Sequence, residues 1–286
     1  MDRTQSVAAT SMAPSSAVTR VSAPAGAGAT TAAGEVSAVD PDKVLAKALA
    51  DVPTEGDARF SVAVASLDGA GGVARYGGGT AYDTASIVKV DILAAVLLRA
   101  QDAGRRLTDQ ERTYATAMIR SSDNASASAL WEAIGRAPGL NAANARLGLT
   151  GTKGGDAGRW GLTRTTADDQ LKLLRAVFAT GTTGTIGTVL SEASRVYVQD
   201  LMGRIVTDQD WGVSAAADTD WALKNGWLPR TTTGLWDINS IGHVTVNGHP
   251  YLLAVLSDGN ASKDKGVALV ERAAVTAVGA LAKAKV

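Results

Sequence analysis

Residues Ile87 to Leu98 read almost continuously apolar, and any fold open to this chain has to build a core around them. Lys89 and Asp91 interrupt the run and Arg99 closes it. It therefore falls short of the roughly 18 consecutive apolar residues of a membrane span. A helix that is apolar on every side is enclosed by protein, so this segment predicts a helix buried inside a sizeable domain.

The flanking patterns say what encloses it. Asp40-Pro41, followed by Val44, Leu45, Ala48 and Leu49, predicts an amphipathic helix with Pro in its first turn. Phe60 to Leu67 alternates, Asp68-Gly69 and the following glycines turn, and Gly72 to Tyr76 returns, which predicts a β-hairpin. Helical patterns run from Asp109 to Gly135 and from Ala167 to Phe178, the second opened by a capping-box-like Thr165-Thr166-Ala167-Asp168. Thr180 to Thr188 reads as a loop and Glu192 to Met202 as a short helix. Strand patterns return at Trp221 to Trp227, Leu235 to Val246 and Tyr251 to Leu256, with a turn at Asn247-Gly248, and the chain closes on a helix from about Lys265 to Lys283. This order predicts an α+β, three-layer αβα fold: a five-stranded antiparallel sheet drawn from both ends of the chain and flanked by helices, with an inserted all-helical lobe. The α/β part is expected at 39–84 and about 205–286, the helical lobe at about 85–204, and an active site between the lobes.

Composition narrows the chemistry. The 286 residues carry 28 basic and 28 acidic side chains, which disfavours a nucleic-acid partner reached through bulk electrostatics. Cysteine is absent, so thiol nucleophiles, disulfides and thiolate metal sites are excluded. Only His243 and His249 are available, too few for a three-histidine metal site, and both read as structural. No metal, no cofactor and no transmembrane segment is expected, and the chain reads as a monomer. Residues 1–38, rich in Ala, Ser, Thr and Pro, are expected to form a disordered tether. The longest apolar stretch before Glu35 is three residues, so no signal peptide is visible. A tether of this kind favours export, and a cytoplasmic location stays open.

Three short motifs carry candidate chemistry. Ser86-Ile87-Val88-Lys89 opens the buried helix; its spacing sets both side chains on one face, where burial lowers the lysine pKa and lets a neutral amine take a serine proton. Ser122-Asp123-Asn124 precedes a helical run, and Lys224-Asn225-Gly226 lies on a strand ahead of Trp227, where glycine marks close approach of another backbone. Singly, each has a bland reading, respectively an N-cap serine, an N-cap cluster and a surface lysine before a turn. Together, in this order and on these elements, they resemble the serine β-lactamase and penicillin-binding-protein superfamily. The resemblance covers residues 40 to 286, including Trp211-Gly212-Val213 ahead of the third motif.

That resemblance implies an acyl-serine hydrolase of the class A β-lactamase-like type, acting on a β-lactam, amide or ester. It implies Ser86 as nucleophile, Lys89 as general base and Ser122 as proton relay, with Lys224 keeping the field positive. It gives Asn124 a hydrogen bond to a substrate amide, Asn225 and Gly226 a place on the substrate-binding strand, and the N–H groups of Ser86 and Trp227 an oxyanion hole.

Three departures from the class A pattern stand out. Asn225 replaces the usual Thr or Ser, so recognition of a substrate carboxylate is altered or moved. The stretch Gly151 to Thr166 contains Arg159-Trp160, which resembles the start of the class A omega loop, but no glutamate; Asp156 is the only carboxylate there and reads as a turn residue. The connection from Ser86 to Ser122 is short. Acylation machinery without the glutamate for deacylation implies a penicillin-binding-protein-like enzyme with slow release, a peptidase or esterase in which Lys89 or Ser122 activates the water, or a non-catalytic module that binds a lactam or peptidoglycan-like ligand. Trp211, Trp221, Trp227 and Trp236 cluster around Lys224; core packing is the favoured expectation over a cleft wall. Asp91, in the apolar helix, needs a partner.

Overall fold

The computed structural model describes residues 40–68, 72–179 and 189–284. The expected tether, the glycines 69–71 of the hairpin turn and the loop over 180–188 lie outside the described residues.

The sheet forms as the patterns predict. Strands β1 (Arg59–Ser66), β2 (Val73–Tyr76), β5 (Trp221–Pro229), β6 (Trp236–Val246) and β7 (His249–Asn260) form one antiparallel sheet in the order β2-β1-β7-β6-β5. Strand β1 is buried on both faces, and its alternation is of size instead of polarity. Ala63 and Ala65 face the core shared with the helical lobe, together with Ala222 and Ala254 of β5 and β7. Phe60, Val62 and Val64 face the other core, with Leu253 and Val255. Small residues on the lobe side let helices approach that face closely, while the bulky side packs on α1 (Pro41–Leu49) and α8 (Lys263–Ala284).

The lobe is built around α2 (Val88–Asp102), which buries all but a few of its side chains. Around it lie α3 (Asp109–Arg120), α4 (Asn124–Ile134), α5 (Arg136–Leu147), α6 (Ala167–Phe178) and α7 (Glu192–Met202). Helix α5 was not expected, because Pro138-Gly139 reads as a turn. Pro138 falls in the first turn, where its missing N–H costs nothing, and Gly135 takes a left-handed conformation (φ 88°) that ends α4 and starts α5. A two-stranded sheet of β3 (Tyr82–Asp83) and β4 (Arg164–Thr165) was also unforeseen, being too short to show periodicity. Helix α6 starts at its Thr166 cap, but not with a capping box: the Asp169 carboxylate instead accepts from the Gly151 N–H at 2.7 Å and the Thr152 hydroxyl at 2.9 Å.

Asp91 lies fully buried on α2, and neither carboxylate oxygen has a hydrogen bond. Burial raises its pKa to about 7; the nearby Gln170 amide opposes this and the Asp169 charge adds to it. It does not pair with Lys89. The folded pKa lies above the ordinary carboxyl value, so the stability Asp91 allows is full at acid pH and is lost as pH rises through about 7. Three pH units of such displacement correspond to roughly 4 kcal/mol. Urea unfolding of Asp91→Asn should therefore show a flatter pH dependence between pH 5 and 8 than the wild type, and a gain in stability of that order at pH 8; an unchanged slope would contradict the assignment.

Candidate active site

The chain enters the site through β3. The Thr84 N–H donates to the Thr163 carbonyl (2.9 Å), and β3 pairs with β4, which fastens the 158–165 segment to the chain leading into Ser86. From the sheet side, Asn239 of β6 donates from Nδ2 to the carbonyls of Asp83 (2.9 Å) and Thr84 (3.1 Å). The Asp83 carboxylate is held by Arg164 at 3.2 Å and by a close contact with Arg230. Ala85, just before Ser86, is left-handed at φ 48°, a conformation that costs a β-carbon-bearing residue on the order of 1 kcal/mol. Ala85–Ile87 form a 3₁₀ turn ahead of α2, and Ile87 takes the helix N-cap, so Ser86 is not the N-cap serine of the bland reading.

Strand β5 lies hard against this turn. A methyl group on Gly226 would stand 2.7 Å from the Thr84 oxygen, 2.8 Å from the Ser86 nitrogen and 2.9 Å from the Ile87 nitrogen. The strand glycine thus does mark a close backbone approach, and the backbone is the chain's own turn around Ser86. Opposite Gly226 in the sheet sits Asn239, so one register position supplies both the space and the hydrogen bonds.

The motif side chains converge here. Lys89 Nζ donates to the Ser122 carbonyl (2.6 Å), to Ser122 Oγ (2.9 Å) and to Asn124 Oδ1 (2.8 Å). Lys224 Nζ reaches across from the sheet to Ser122 Oγ (3.1 Å) and to the Asn225 carbonyl (2.9 Å). Both lysines are buried, against the surface reading of Lys224. Ser122 is left-handed at φ 55°, and its carbonyl and hydroxyl both meet Lys89. Asp123 caps α4 through the Ser126 N–H (2.7 Å), so the N-cap and the site readings of this motif hold together. Burial lowers the Lys89 pKa to about 7 against a smaller upward pull from Asp123. Burial, reinforced by the charge of Lys89, lowers that of Lys224 well below the ordinary amine value.

Ser86 and Asn124 open into a cleft of about 680 Å³ walled by Trp160, Leu162, Trp227, Leu228 and Arg230. Among the described residues that line it, none is Asp or Glu. Asn225 is not in the cleft. It is buried, and its Nδ2 donates to the carbonyls of Gln209 (2.8 Å) and Trp211 (2.7 Å), tying β5 to the segment ahead of it. Trp227 lines the cleft and stands in a tilted pair with Trp211, ring centroids 6.0 Å apart, with Lys263 Nζ 4.6 Å from its centroid. Trp211, Trp221 and Trp236 pack on the sheet core, as expected. His243 stacks on Phe178 and His249 pairs with Asp68, both away from the cleft. Asp156 sits exposed in a turn.

The family model of the β-lactamase enzyme family matches residues 110–281. The chain belongs to that family. Its fold is shared with a class A β-lactamase representative from Bacteroides cellulosilyticus DSM 14838 (TM-score 0.70, 17% identity, 85% of this chain and 99% of that one). It is shared also with PBP-A (0.70, 20%, 84% and 96%) and with the TLA-1 extended spectrum β-lactamase (0.72, 16%, 85% and 99%). No curated protein matches the chain. The α+β class A architecture is therefore that of this family member, and its fold and family are those of a serine hydrolase of the β-lactamase type.

Asn239 and Arg230 are not singled out by the sequence, and Trp160 only within the Arg159-Trp160 resemblance to an omega loop, not as a neighbour of Lys89. A polar Asn239-Ser240 pair inside an apolar strand pattern was the available signal for the first; Arg230 carries no local signature. Gly226→Ala should lower stability by about 2 kcal/mol or more, because backbone atoms on both sides cannot yield. Denaturant unfolding checks this, and unchanged stability would show that β5 is free to move away from Ser86.

Proposed function

We propose that this family member is an acyl-serine hydrolase that attacks a β-lactam, amide or ester carbonyl with Ser86 and releases the acyl group slowly. The observation that carries the reading is the buried cluster in which Lys89 and Lys224 share Ser122 Oγ, joined through Asn124 to the cleft that Ser86 lines.

Lys89 has three acceptors around its nitrogen, the hydrogen-bond set of an ammonium. Loss of one proton leaves a lone pair on the amine, and at a pKa of about 7 that form is abundant at neutral pH. The amine takes the Ser86 hydroxyl proton as Oγ adds to the substrate carbonyl. The N–H groups of Ser86 and Trp227 stabilise the resulting oxyanion, a contribution of about 3 kcal/mol per donor in comparable sites. Collapse expels the leaving nitrogen or oxygen, which takes a proton from the Ser122 hydroxyl. Ser122 is then reprotonated by Lys89, which holds the proton taken from Ser86 and lies within hydrogen-bond reach, while Lys224 also donates to the Ser122 oxygen. Asn124 Oδ1 accepts from Lys89 Nζ, which leaves Nδ2 to donate to a carbonyl of the substrate.

The absence of a carboxylate among the described lining residues favours slow deacylation over rapid lactam turnover. Substrates fitting the cleft are small molecules or peptides with an apolar acyl group, given the walls of Trp160, Leu162, Trp227 and Leu228.

Intact-mass analysis after incubation with benzylpenicillin tests the reading. A single adduct should form, vanish in Ser86→Ala, and form faster as pH rises through about 7, since the base works only when deprotonated. No adduct and no hydrolysis of any lactam or ester would favour a non-catalytic binding module.

A further inference from the structure

We infer that Trp160 keeps water away from the acylated serine and so sets the lifetime of the acyl-enzyme. This rests on the acyl-serine reading above.

Lys89 Nζ makes hydrogen bonds to Ser122 and Asn124, and a further neighbour is the Trp160 ring, whose centroid lies 4.9 Å away. An aromatic face at this distance stabilises the ammonium but neither accepts its proton nor holds a water for attack. Trp160 lines the same cleft as Ser86 and Asn124. Its position is fixed from two sides. The indole N–H donates to Ser128 Oγ of α4 at 3.1 Å, and the 3₁₀ turn Trp160–Leu162 packs on the Ser86 turn, with Gly161 against Ala85. The indole thereby covers one approach to the amine that, once acylation is complete, is the nearest base to the ester.

With the indole removed, water can enter beside Lys89. The step then balances as an ordinary ester hydrolysis. Water gives a proton to the neutral Lys89 amine, its oxygen bonds to the acyl carbon, the bond from that carbon to Ser86 Oγ breaks, and Oγ recovers the proton from Lys89. Asp123, whose charge acts on Lys89, and the neutral Lys224 amine are the other titratable groups beside it, and neither exchanges a proton in this step.

The test is the decay of preformed benzylpenicillin adducts, followed by intact mass after removal of free lactam. The wild type and Trp160→Phe should hold the adduct. Trp160→Ala should lose it at least tenfold faster, with a decay rate that rises as pH passes through about 7, a profile that loosened packing alone would not produce. Ser128→Ala, which frees the indole without removing it, should fall between and serves if Trp160→Ala does not fold. Equal adduct lifetimes in wild type, Trp160→Ala and Ser128→Ala would overturn the role of Trp160 while leaving Ser86 as nucleophile. Failure of the wild type to form any adduct would overturn both.

Discussion

Burying the amines of Lys89 and Lys224 beside one hydroxyl, that of Ser122, removes two potential charges from water with no carboxylate in contact to balance them. Hydrogen bonds from both amines to serine, asparagine and backbone oxygens offset part of that cost, and depressed pKa values absorb the rest by letting the amines stand neutral. Such an arrangement holds only in a rigid frame. The frame consists of an apolar helix carrying Lys89, a sheet strand carrying Lys224 and a helix junction presenting Ser122 in a left-handed turn.

The two lobes meet at this cluster, and a second set of contacts locks the turn that carries Ser86. Gly226 gives β5 the clearance to touch Ser86, Asn239 binds the carbonyls just before it, and Arg164 and Arg230 grip Asp83. Asp237, buried next to Arg230, has its pKa raised to about 6 by that burial, despite the attraction of the guanidinium. Structural polar groups around Ser86 thus carry as much of the design as the three motifs do.

Much of this was legible in the sequence. The buried helix and the five strands follow from periodicity, while the grouping of Lys89, Ser122, Asn124 and Lys224 came from the family resemblance of three motifs that are each weak alone. Other features were hidden for physical reasons. Helix α5 hides behind Pro138-Gly139, which signals a turn until its place in the first helical turn is known. The inward turn of Asn225 depends on carbonyls of Gln209 and Trp211, some fifteen residues upstream, and no local pattern reports such a partner. Trp160 reaches Lys89 only because β3 and β4 pair, a contact of two residues between distant segments.

The central claim is that the buried Lys89 and Lys224 amines lose their protons well below the ordinary amine range, so that a neutral amine is available at physiological pH. Side-chain NMR titration of ¹⁵N-labelled lysine, with Lys89→Arg and Lys224→Arg for assignment, measures it directly. The account predicts a Lys89 signal titrating near pH 7 and a Lys224 signal displaced far below the ordinary amine range. Lys89 and Lys224 both titrating near 10.5, the ordinary lysine value, would contradict it.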